Sequence, residues 1–111
     1  MLTMESKEQN NAVIFYLSGE LVFNDTEEAE KEFMKKLAGK PRVIALDCKN
    51  LKSLDSSGLG LFIKFSKEAQ KAGVDLVFIN IGGNISTLFD VSKLDKMFEI
   101  ITEDEFKAAY L

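Results

Sequence analysis

The chain contains no histidine and no tryptophan, and it has one cysteine and one proline. Each shortage closes a route. A serine hydrolase needs a base to take the hydroxyl proton, and histidine is the usual one. A Ser–Lys pair is the formal substitute, but neither Lys52 nor Lys64 stands in a partnering motif. Metal sites lose their commonest ligands in the same way, and Asp25, Asp47 and Asp55 have no recognised ligand spacing. With Cys48 alone no intramolecular disulfide can form, which suits a reducing compartment. No apolar run approaches the roughly 18 residues of a membrane span. The start, Met1-Leu2-Thr3-Met4-Glu5, lacks the basic and apolar regions of a signal peptide. These shortages predict a cytoplasmic protein that is not an enzyme, holds no cofactor or metal and does not span a membrane.

Basic charge is also scarce in the form that nucleic acid requires. Lys and Arg number 14 against 18 Asp and Glu, giving a net charge of −4. The lysines alternate with glutamates and form no stripe, so direct nucleic-acid binding is not expected.

What remains is a chain of 111 residues, 46% of them hydrophobic, which is enough for one core. A single domain over 1–111 is expected. Leu2 to Ser6 alternates weakly and reads as an edge strand, followed by a turn signal at Asn10-Asn11. Ala12 to Leu17 is β-branched and aromatic, and Gly19-Glu20-Leu21 continues it. The two form a hairpin whose register the Glu8 to Asn11 loop leaves open. Asn24-Asp25-Thr26 offers cap chemistry for an amphipathic helix over Thr26 to Ala38, stopped by Gly39 and Pro41. Arg42 to Asp47 is the short apolar run of a central strand, with Cys48 to Leu54 as a connecting loop. A second helix runs from about Ser57 to Ala72 and ends at Gly73. Phe62, Phe65, Ala69 and Ala72 form its core face, with Leu59 and Ile63 on one shoulder. Val74 to Ile81 is the next strand, Ile85 to Asp90 a short helix and Met97 to Ile101 a last strand. Thr102 and Glu105 form a capping box for a helix ending at Tyr110. Alternating helices and strands after a hairpin predict an α/β fold with a mixed sheet and about four helices.

The motif Asp55-Ser56-Ser57-Gly58-Leu59-Gly60 lies where the chain turns from sheet to helix. The first N–H groups of a helix have no internal partner and carry partial positive charge. A serine there can cap, bind an anion, act as a nucleophile or accept a phosphate. Capping falls to Asp55 or Ser56, with the glycines permitting close packing against the strands, but that does not explain a second serine beside the cap followed by two glycines. Gly58-x-Gly60 and Gly82-Gly83 match neither a Walker A loop nor a dinucleotide fingerprint. Phosphorylation gives the second serine a use, because a phosphate at a helix start adds roughly −1.5 to −2 charges without unravelling the fold.

The same six residues resemble the signature of bacterial anti-sigma factor antagonists, the founding members of the STAS domains. Gly19-Glu20-Leu21, Val43 to Asp47 and Leu88 to Leu94 resemble further family segments, so the likeness covers nearly the whole chain. It implies a single-domain STAS-like fold and a partner switch. The unphosphorylated protein would bind an anti-sigma factor that is also a serine kinase, and so free a sigma factor. That kinase would phosphorylate Ser57 and lose its grip, and a serine phosphatase would reset the switch. The resemblance implies partner contacts at Asp25, Asp55, Ser56, Ser57, Gly58, Leu59 and Ile63. Family members often carry an acid directly after the Gly-Glu-Leu-like segment, where this chain has Val22 and Phe23. Asn24 or Asp25 is the expected polar substitute, and Phe23 is either a partner contact or a core residue. A monomer or weak dimer is expected. The rival readings are a STAS subunit of a lipid or anion transport assembly, and a small-nucleotide site at the same helix start.

Overall fold

In a computed structural model describing residues 1–111, Asn10 and Asn11 both adopt left-handed backbone, with φ of 51° and 62°. Asparagine tolerates this conformation, and paired left-handed residues make the tight turn that suits a hairpin. The turn fixes Gln9 opposite Ala12, so strand β1 (Leu2–Gln9) pairs antiparallel with β2 (Ala12–Leu21) in full register. The expected loop from Glu8 is therefore strand as far as Gln9.

Helix α1 (Thr26–Leu37) leads to β3 (Val43–Leu54), and α2 (Ser56–Ala72) leads to β4 (Asp75–Ile79). Next come α3 (Gly83–Val91), β5 (Glu99–Ile100) and α4 (Glu103–Tyr110). The sheet order is β1-β2-β3-β4-β5, antiparallel at the hairpin and parallel thereafter. The mixed sheet, the four helices and the α/β class agree with expectation. Two 3-10 turns, Phe23–Asp25 and Leu94–Lys96, were not expected.

The largest departure is Cys48 to Leu54, which is strand and not loop. It continues β3 alongside β2, with register shifts between Tyr16 and Ser18 and between Gly19 and Glu20. These irregularities let Cys48 and Leu51 both reach the core although they are three apart. A strict alternation was therefore never visible in Lys49, Asn50, Lys52 and Ser53. The extension matters because it carries the chain to the edge of the motif. β4 and β5 are shorter than expected, and the helix after Asn80 starts earlier, at Gly83. The chain leaves α1 through a left-handed Lys40, φ 48°, and not through Gly39. Gly73 closes α2 in left-handed backbone, as expected, and the Thr102–Glu105 capping box is formed.

One face of the sheet packs on α1, α2 and α3. Phenylalanines dominate there. Phe33 of α1 stacks on Phe65 of α2 with ring centroids 3.9 Å apart. Phe62 meets Phe78 edge-on at 5.2 Å, and Phe89 and Phe98 complete the group. Cys48 lies in this core, where burial, and then the neighbouring Asp47 charge, push its thiol up to about 12. A thiol so placed is a small apolar residue rather than a nucleophile. The opposite face has a smaller core, in which Phe106 of α4 covers Ala12, Ile14, Val43, Ala45, Val77 and Ile79.

Candidate functional site

The motif is assembled by Asp55. Extended backbone at Asp55 ends β3 and lets its side chain turn back over α2. Its Oδ1 accepts from the Gly58 N–H at 2.9 Å, which makes it the N-cap. Its Oδ2 accepts from the Phe23 N–H at 3.2 Å. Its own N–H donates to the Leu21 carbonyl at 3.3 Å. One residue thus binds the end of β2, the following 3-10 turn and the start of α2. Of the two capping candidates in the sequence, Asp55 holds the position and Ser56 is the first helical residue.

Ser57 is the second residue of α2 and is half-buried, whereas Ser56 is exposed. The N–H groups of both serines have no acceptor within the helix. Gly58 is buried against the end of β2. A Cβ on it would lie 2.5 Å from the Leu21 carbonyl oxygen and 3.0 Å from both Leu21 Cγ and Leu54 Cβ. Only glycine allows α2 to start this close to the sheet. Gly60 is different, since a Cβ there would meet nothing within 4 Å. Leu59 and Ile63 are half-buried at the rim of the core, as their shoulder position on the wheel predicts.

Phe23 lies beside this cluster, at 70% exposure, on the turn that Asp55 holds. It is a surface residue, which excludes the core alternative. Asp25 is brought near but is turned away. Its carboxylate accepts from the Leu2 and Val22 N–H groups, each at 3.4 Å, and no hydrogen bond links it to Ser57. It braces the 3-10 turn against the hairpin, and it makes no side-chain cap on α1. Asn24 is exposed beside it. The structure therefore gathers Asp55, Ser56, Ser57, Gly58 and Phe23, with Leu59 and Ile63 continuing the same helix.

No cavity opens at residues 54–60. Ser56 is exposed and Ser57 half-buried there, and the exposed apolar group beside them is the Phe23 ring. Replacing Asp55 with alanine removes the cap and the tie to Phe23 together. We expect a loss of about 1–2 kcal/mol in urea unfolding, with Asp55→Asn losing less because asparagine also caps. Equal stability of Asp55→Ala and the wild type would show that these contacts do not hold the site.

A family model for the STAS domain matches residues 3–108. The chain belongs to the STAS domain family. Among solved structures, a candidate anti-sigma factor antagonist of Thermotoga maritima superposes with a TM-score of 0.88 at 19% identity, over 96% of this chain and 93% of that one. An anti-sigma factor antagonist of Mycobacterium paratuberculosis gives 0.88 at 19% identity, over 99% and 94%. The Bacillus cell fate determinant SpoIIAA in its phosphorylated form gives 0.72 at 22% identity, over 97% of each chain. This STAS domain thus has the fold of anti-sigma factor antagonists. At these identities the likeness concerns fold.

Sequence reasoning left one feature open and missed another. The exposure of Phe23 had only a weak signal, its place between a strand end and a helix. A buried carboxylate, Asp47, on the other face of the sheet was noticed only as an unlikely metal ligand, although a charged residue closing an apolar run is itself informative.

Proposed function

We propose that this STAS domain is an anti-sigma factor antagonist whose binding surface is switched at Ser57. The unphosphorylated form binds an anti-sigma factor with serine-kinase activity, and a sigma factor is released. Phosphorylation of Ser57 ends that binding, and a serine phosphatase restores it. The domain itself catalyses nothing and acts in the cytoplasm. No helix is long and apolar enough to cross a membrane.

The observation that carries this reading is the position of Ser57. It is the second residue of a helix capped by another side chain, so its hydroxyl is spared from holding the fold. A phosphate there meets unpaired N–H groups and adds charge next to Asp55, beside the exposed Phe23 turn. The domain would stay folded while its surface gained negative charge.

Incubation with a serine-kinase anti-sigma factor and ATP, read by intact mass, tests the proposal. The wild type should gain one phosphate and Ser57→Ala none. Phosphate on Ser57→Ala would move the site. No phosphate with any candidate kinase, together with co-purification with a transporter ATPase, would favour the transport reading.

Phe23 gives a separate check. At 70% exposure it contributes little to folding, so Phe23→Ala should unfold within about 0.5 kcal/mol of wild type. An aromatic at the centre of a contact is a common anchor, and its loss should weaken kinase binding by about 2 kcal/mol or more. Unchanged affinity, measured by calorimetry, would remove Phe23 from the interface.

A further inference from the structure

On the sheet face away from Ser57, α4 covers β3 and β4 but leaves β1 and β2 partly bare. A cleft of about 400 Å³ runs between them. Its floor is Ile14, Ile79 and Phe106, and Tyr16 stands at its side, 39% exposed. At one end lies Asp47, the only charged residue in the chain that is buried, at 8% exposure.

The hydrogen bonds at that end are unevenly shared. Asn80, held in left-handed backbone at φ 57°, donates from one amide nitrogen to two carboxylates. It reaches Asp47 Oδ1 at 3.2 Å and Glu103 Oε1 at 3.0 Å. The Lys49 N–H also donates to Asp47 Oδ1, at 3.0 Å. Lys107 takes the other oxygen of Glu103, at 3.2 Å. The Asn80 hydrogen bond, and then Lys107, hold the Glu103 carboxyl below its usual range. Both oxygens of Glu103 are thereby used. Asp47 Oδ2 receives no donor from the protein, yet it is not sealed from the cleft. Open to the cleft, Oδ2 takes its donor from whatever fills the cleft, water or a ligand. Lys7 of β1 also lines the cleft and forms no ion pair. The cleft therefore combines an apolar floor, one carboxylate oxygen that no protein group occupies and one exposed cation outside any ion pair, within the size range of small-molecule sites.

We propose that this cleft binds a small zwitterion with an apolar body, its ammonium group on Asp47 Oδ2 and its acid group on Lys7. The Tyr16 ring flanks the ammonium end and adds cation–π attraction. The site is independent of Ser57, which lies across the sheet.

L-tryptophan, tryptamine and indole-3-propionate test this, because they share one body and differ in charge. The chain has no tryptophan, so the indole fluorescence of the probe is not masked. Binding is read by that fluorescence and by amide shifts in labelled protein. L-tryptophan should bind saturably, more tightly than either partner probe, and shift the amides of Ile14, Tyr16, Asp47, Ile79 and Phe106. Asp47→Asn should weaken L-tryptophan about tenfold or more, as expected for a lost charge-assisted hydrogen bond. Lys7→Gln, on the exposed edge strand, should weaken L-tryptophan and indole-3-propionate but spare tryptamine. Ser57→Asp should leave all three unchanged. The proposal is overturned if L-tryptophan causes no saturable shift, or if tryptamine binds equally well. It also falls if Lys7→Gln leaves L-tryptophan unaffected, and that result decides even if Asp47→Asn does not fold.

Discussion

Ser57→Asp should bind a serine-kinase anti-sigma factor roughly 30- to 700-fold more weakly than Ser57→Ala, which corresponds to about 2–4 kcal/mol. The estimate follows from where the charge is placed. Ser57 is half-buried at the start of α2, beside the Asp55 that holds the Phe23 turn, so a partner that covers Phe23 and the helix start also covers the new carboxylate. It would be taken out of water beside Asp55, whose two oxygens already serve the Gly58 and Phe23 N–H groups. Neither can turn to compensate without releasing the cap or the turn. Folding should hardly notice. A negative charge in the first helical turn gains about 0.3–1 kcal/mol from the helix dipole, and repulsion from Asp55 offsets part of that. Melting temperatures of the two variants should therefore lie within a few degrees of each other while their affinities separate. Part of the effect is long-range charge, so raising the salt concentration should narrow the gap. Equal affinities would end the reading of Ser57 as a switch. A parallel collapse in stability would show that the hydroxyl holds the fold and would leave the switch without support.

The sequence made the frame of this site legible and left its details hidden, for identifiable reasons. Helix α2 was readable because Phe62, Phe65 and Ala69 recur on one face, and Gly73 ends it in the conformation glycine favours. The Thr102–Glu105 capping box was readable because it is a local rule with fixed spacing. The last half of β3 was not, because its pairing with β2 is irregular and its outer residues are polar. Pairing between distant segments leaves no local trace when the alternation is broken. The same limit applied to the site. Asp55 as a cap was a local inference. Its second bond, to Phe23 32 positions away, depends on the meeting of two loops. Asp25 is an acid close to the position where family members carry one, but its carboxylate is occupied by the Leu2 and Val22 N–H groups. Asp47 was hidden because its partners, Asn80 and Glu103, come from separate elements.

The two motif glycines should respond to alanine with opposite signs. Gly60 lies in the interior of α2 with open space where a Cβ would go. Alanine there should stabilise the domain by about 0.5–1 kcal/mol, the usual difference in helix propensity. The fold thus gives no reason for glycine at this exposed position. A partner backbone passing close to the helix would, and Gly60→Ala should then weaken kinase binding while raising stability. Gly58 has the same propensity to gain, but its Cβ would lie 2.5 Å from the Leu21 carbonyl oxygen. That atom belongs to the backbone of β2 and also accepts the Asp55 N–H, so it cannot move without disturbing the cap. Overpacking of this kind costs about 1–3 kcal/mol, enough to outweigh the propensity gain. Gly58→Ala should therefore be destabilised by about 1–2 kcal/mol in urea unfolding, after that offset. It should also bind the kinase less well, because the helix start that carries Ser57 is pushed away from the Phe23 turn. A stable Gly58→Ala would mean that α2 has room against the sheet and that the glycine is there for a partner. An unstable Gly60→Ala would mean the reverse for the second glycine. The pair separates what the fold requires of the motif from what a partner requires, two residues apart on one helix.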